Sequence, residues 1–123
     1  MSRGLLAFAP LGLWAAAVLV LGGLELDWDG LASLPSGWDK AAHFVMYGVG
    51  GLLAAWAGRV RGPRAGLLGL LLVLSTGAAD ELHQGMLATR QSDFWDWTAD
   101  GVGAGVVYLV ARRLMAGEAI EST

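Results

Sequence analysis

The chain has 123 residues, 55% of them hydrophobic and only 15% charged, with a positive mean hydropathy and a formal net charge of −3. A soluble domain of this size carries about a quarter charged residues, and the abundance of Leu, Ala, Val and Gly is that of helices packed in lipid. Cysteine is absent, which excludes disulfides and thiolate metal sites, and the eight basic residues form no stripe, so nucleic-acid binding has no support.

Four apolar segments follow one another, each close to the roughly 20 residues a helix needs to cross a ~30 Å hydrocarbon core. The first, about 4–24, is uncharged and interrupted only by Pro10 near its start. Its length, and the lack of a small-x-small cleavage site, favour an uncleaved helix over a signal peptide. An acidic, turn-rich connection with Asp27, Asp29, Gly30, Pro35 and Gly37 leads to the second helix, about 40–58. The tight basic turn "RVRGPR" joins it to the third, about 65–84. A short polar connection then leads to the fourth, about 93–114, after which the tail "MAGEAIEST" reads as frayed. The predicted architecture is an all-α, polytopic bundle of four transmembrane helices in a single domain spanning 1–123.

Charge sets the expected orientation. Arg3, then Arg59, Arg61 and Arg64, then Arg112 and Arg113 share one side if all four helices cross. The positive-inside rule makes that side the cytoplasm, so both termini are expected inside (N-in/C-in) in the cytoplasmic (inner) membrane. Lys40 and Arg90 fall on the other side, together with Trp28, Trp38, Trp95 and Trp97, where interfacial aromatics are expected.

Three polar groups reach that far side. At 100° per residue, Lys40, His43 and Tyr47 lie within an arc of about 60° on helix two. Asp93, Asp96 and Asp100 share an arc of helix four, and Gly77, Asp80, Glu81 and Gln84 cover about 100° of helix three. Small residues continue two of these stripes, Gly50, Gly51 and Ala54 on helix two and Gly103 and Ala104 on helix four, and such stripes let backbones approach closely. A charge at mid-bilayer costs on the order of 3 kcal/mol, so these groups face the bundle interior or water. The simplest packing turns the polar arcs toward one another in a pocket that opens on the extracytoplasmic side.

Such a pocket sets Asp39, Asp80, Glu81, Asp93, Asp96 and Asp100 against two cations, Lys40 and Arg90. The surplus of carboxylate calls for bound protons, a metal or a cationic ligand. His43, Glu81, Asp96 and Asp100 are the candidates for acid–base work. Lys40, Tyr47, Asp80, Gln84 and Arg90 are the candidates for holding a substrate, with the planar fork of Arg90 suited to phosphate or carboxylate. Plainer roles stand beside these. Lys40 is also a snorkelling anchor, Asp39 and Asp93 are helix caps, His43 and Tyr47 form a buried pair, Arg90 clamps Asp96 or Glu81, and His83 sits at the interface. His, Glu and Asp suit a divalent metal, but no HExxH or comparable compact motif is present, so no metal ligand is assigned and no cofactor is identified. Gly101-x-Gly103-x-Gly105 lies inside a membrane helix and reads as packing, not a phosphate loop.

These residues resemble a known family. "DKAAHFVMYGVGGLL" followed by "DELHQGMLATRQSDFWDWTADGVGAG" is similar to the VanZ-like family of small bacterial integral membrane proteins. The matching positions are Asp39, Lys40, His43, Phe44 and Tyr47, then Asp80, Glu81, His83 and Gln84, then Arg90, Asp96, Asp100 and Gly103, within 39–110. One position departs from the pattern, since Ala88-Thr89 precede Arg90 where members often have Pro-Gly. The resemblance implies a small multi-pass membrane protein and, through the founding member, a link to low-level teicoplanin resistance.

Three classes of function are open at this point. An enzyme would act on a lipid-linked or cell-envelope substrate at the outer face. A non-catalytic scaffold would bind an envelope lipid or antibiotic. A proton-coupled transporter subunit would need oligomerisation and a polar path, whereas "LLAAWAG" and "LLGLLLV" offer no polar side chain and no inverted repeat is present.

Overall fold

A computed structural model of the chain describes residues 2–23, 38–86 and 94–121. They form four helices and, among the described residues, no strand: α1 (Arg3–Gly23), α2 (Trp38–Arg61), α3 (Pro63–Gln84) and α4 (Phe94–Glu121). Three are long and apolar enough to cross a membrane, over Gly4–Leu21, Ala41–Arg61 and Pro63–His83. The fourth falls short of that criterion, since its length carries Asp96, Asp100, Arg112 and Arg113 and four glycines.

The helix ends follow local chemistry. Pro10 lies inside α1, where it removes one backbone donor, a loss that helices packed on neighbours accommodate. Between α2 and α3 stands only Gly62, at φ 101°, a left-handed conformation that glycine adopts without steric penalty. Its N–H closes α2 onto the carbonyl of Gly58 at 2.7 Å, and Pro63 then opens α3 with its φ already set for a helix. The expected basic turn is therefore a single residue, and α2 and α3 run farther into it than the sequence pattern suggests. The tail after Leu114, expected to fray, is helical to Glu121. Met115, Ala116, Glu118 and Ala119 are all good helix formers, and only Gly117 weakens the run.

Helix α2 packs against α1, α3 and α4, while α3 also packs on α1 and α4. Directions follow from specific contacts. The start of α1 lies at the end of α2, since a Cβ on Gly4 would sit 3.4 Å from Nη2 of Arg61. Helices α2 and α4 run parallel, because His43 meets Asp100 near their starts while Arg59 and Arg112 line one cavity near their ends. They approach to backbone contact: a Cβ on Gly51 would overlap the Ala104 backbone, and one on Gly103 would overlap that of Phe44. The small-residue stripe on α2 is in part differently used than expected. Gly51 faces α4, but Gly50 seats the Trp14 ring of α1, and Ala54 meets Gly69 of α3.

Side-chain size is distributed as in a lipid-embedded bundle. The interior holds small residues such as Ala54, Ala57 and Ala104, all fully buried, while Leu13 is 75% exposed, Leu114 65% and Leu68 60%. Burying large aliphatics gains little where the surroundings are as apolar as they are, so helix contact relies on close packing and polar bonds. The same interior buries His43, Thr76, Asp80, Glu81 and Asp100.

The backbone approach gives a testable contrast. Gly51→Ala and Gly103→Ala should each overpack the α2–α4 contact and destabilise by about 1–3 kcal/mol or more. Gly12→Ala and Gly105→Ala, where an added Cβ meets nothing within 4 Å, should be neutral or stabilising by up to about 1 kcal/mol. Unfolding of the helical signal in mild detergent reads both, and equal effects at all four positions would contradict the contact.

Candidate functional site

The polar residues converge where α2 and α4 begin and α3 ends. His43 is five residues past the first residue of α2, Asp100 six past that of α4, and Asp80 and Glu81 lie in the last turn or so of α3. At 1.5 Å per residue they sit about one to two turns inside the bundle. Close helix contact brings them together. Gly103 lets α4 lie on the backbone of α2 at Phe44, next to His43. Gly77 does the same for α3, since a Cβ there would stand 3.2 Å from Cε1 of Tyr47 and 3.3 Å from Oδ2 of Asp100.

The central contact is between His43 Nδ1 and Asp100 Oδ1, 2.6 Å apart and buried. With Asp100 ionised, its carboxylate accepts the Nδ1 proton, and that bond selects the imidazole tautomer. Tyr47 stacks on His43 one turn deeper, with ring centroids 6.2 Å apart and planes 4° from parallel. Its hydroxyl donates over a long 3.5 Å to Oδ2 of Asp80. Glu81 completes the group, for one ligand atom from each of His43, Glu81 and Asp100 lies within 4.8 Å of the others. One imidazole and two carboxylates are donors a divalent cation accepts, although the sequence reading assigned no metal ligand because the three come from three different helices. The same geometry serves proton transfer, since three buried titratable groups lie within 4.8 Å of one another.

His43, Tyr47, Asp80, Glu81 and Asp100 are thus gathered as the helical arcs predict. The side chains of Lys40, Gln84 and Asp96, and residues Arg90 and Asp93 altogether, lie outside the described residues, as does the side chain of Asp39. His83 is exposed, outside the cluster, and Trp95 and Trp97 are exposed as interfacial residues would be.

Sequence reasoning missed the part played by α1. Trp14 donates its indole N–H to the carbonyl of Met46 at 3.0 Å, and its ring meets Tyr47 edge-on at 5.3 Å between centroids. The indole packs where Gly50 has no side chain. It therefore backs the ring that stacks on His43. The lone tryptophan in the middle of an apolar helix is the available signal, because an indole N–H taken out of water needs an acceptor. Thr76, also buried, satisfies its hydroxyl on the Leu72 carbonyl of its own helix at 2.8 Å.

Comparison with family models, with curated proteins and with solved structures returned no match.

A double-mutant cycle on His43→Phe and Asp100→Leu measures the central bond. Hydrogen bonds between membrane helices average about 0.6 kcal/mol and reach about 1.7, whereas a bond to a charged group contributes about 1.5–3. The coupling should fall in the upper range, and a value near 0.6 would mean an ordinary interhelical contact.

Proposed function

We propose that the chain is a VanZ-like integral membrane protein. On this reading all four helices cross the cytoplasmic membrane with both termini inside, and the His43–Asp100–Glu81 cluster is an acid–base site near the extracytoplasmic face. The site acts on a lipid-linked or cell-envelope component. The supporting observation is the 2.6 Å His43–Asp100 contact with Glu81 alongside, buried in a bundle whose outer surface is aliphatic. Ionisable groups placed this way in membrane helices are costly and mark sites of ligand or proton handling.

Three further points favour the reading. The carboxylate that lowers the hydropathy of α4 faces inward, with Asp100 only 1% exposed, so it is no obstacle to crossing. The ends of α2 and α4 and the start of α3 carry Arg59, Arg61, Arg64, Arg112 and Arg113, as a cytoplasmic face would. The parallel α2 and α4 both begin beside the acids, and the positive ends of their dipoles favour negative charge there.

The residues divide the work as follows. Asp100 orients His43 so that Nε2 takes a proton from the bound component. Glu81 is the second proton-carrying group, and Tyr47 with Asp80 sets the inner wall. On the sequence, Lys40, Gln84 and Arg90 are assigned to holding the ligand, with Lys40 and Arg90 on its anionic part, and Asp96 to acid–base work.

Native mass spectrometry of the protein in mild detergent, followed by incubation with the co-purifying component, tests this. Glu81→Gln should retain the component while its conversion falls by roughly 100-fold or more, the usual worth of a general acid–base group. Equal loss of retention and conversion would point to a binding protein without catalysis. A wild-type protein that carries and converts nothing would leave the cluster a structural device.

A further inference from the structure

The opposite end of the bundle holds a cavity of about 260 Å³, between the later turns of α2 and α4 and the first residue of α3. Its volume is several times that of one water molecule. The walls are apolar, from Ala55, Gly58, Pro63, Met115 and Ala116, with the buried ring of Tyr108. Arg59 and Arg112 also line it, and both are exposed at its mouth. Beside it, Gly58 and Gly66 bring α2 and α3 nearly backbone to backbone. Val60, Leu109, Val110 and Leu114 at the same end of the bundle are exposed.

We infer that this cavity is a binding site for an anionic phospholipid of the leaflet at the arginine end. Two guanidinium groups at the rim of an apolar slot match a phosphodiester attached to acyl chains. The planar forks of Arg59 and Arg112 take phosphate oxygens in pairs, while the glycerol and the first acyl carbons lie against Met115 and the Tyr108 ring. Basic pockets between membrane helices on the cytoplasmic side recognise anionic headgroups by this combination. A free phosphate would use the arginines but gain nothing from the apolar wall. The inference goes beyond the function proposed above, because it uses none of the residues of the acid–base cluster.

The test uses the full chain in nanodiscs of defined composition, phosphatidylglycerol mixed with phosphatidylcholine, followed by gentle release and native mass spectrometry. The wild type should retain phosphatidylglycerol over phosphatidylcholine, and the Arg59→Gln/Arg112→Gln double variant should lower that preference by roughly tenfold, about 1.4 kcal/mol. Arg113→Gln, which alters a charge at the same end but not in the cavity, should leave it unchanged. Ala116→Phe, which fills the slot and keeps every charge, should lower retention as the double variant does, and it carries the test if the double variant does not fold. Undiminished retention in Ala116→Phe, or an equal fall in Arg113→Gln, would show diffuse surface charge in place of a site. Displacement of the lipid by millimolar inorganic phosphate would show a phosphate site and overturn the assignment to lipid.

Discussion

Everything in this structure depends on how closely α2 and α4 lie. Gly51 against Ala104 and Gly103 against Phe44 bring the two backbones into contact, and a parallel pair so close must align residues at equal depth. His43 then has no position but beside Asp100. The small residues that make the contact possible are not the residues that do chemistry, yet the 2.6 Å bond exists because of them. In an apolar solvent this arrangement also solves a problem of sorting. Large aliphatic side chains gain little from turning inward, so alanine, glycine and the polar groups that lipid rejects share the interior with a few larger residues such as Leu11, Val18 and Val73.

The polar interior is layered from the end inward. Asp100 and Glu81 surround His43, Tyr47 stacks below it, and Trp14 closes the stack from α1 with its own hydrogen bond to the α2 backbone. Each ring is held by the next, and the last is tied to a main-chain carbonyl. The imidazole is therefore fixed on one side by a carboxylate and on its face by an aromatic column, the kind of rigid support a proton-transferring group needs.

Much of this was legible in the sequence, for a clear reason. Helical periodicity places His43 with Tyr47, and Asp80 with Glu81, whatever the packing, and the cost of a charge in lipid then turns those arcs inward. What could not be read was which partner each small residue would serve. Gly50 and Gly51 are adjacent, but 100° of rotation sends one to Trp14 on α1 and the other to Ala104 on α4. The role of Trp14 is hidden because, past Arg3, α1 carries no charge to orient it. The length of α4 was misjudged because the apolar run stops at Arg112 and Arg113, while helix propensity carries the backbone on to Glu121.

Gly62 has a mechanical meaning beyond its dihedral angle. One residue between α2 and α3 turns the chain back on itself, so the two helices form a hairpin that carries His43, Tyr47, Asp80 and Glu81. Asp100 reaches them from α4, whose register against α2 is set by glycine packing and by its bond to His43. Separating Asp100 from His43 would therefore mean parting α2 from α4 at the glycine contacts that hold the two backbones together.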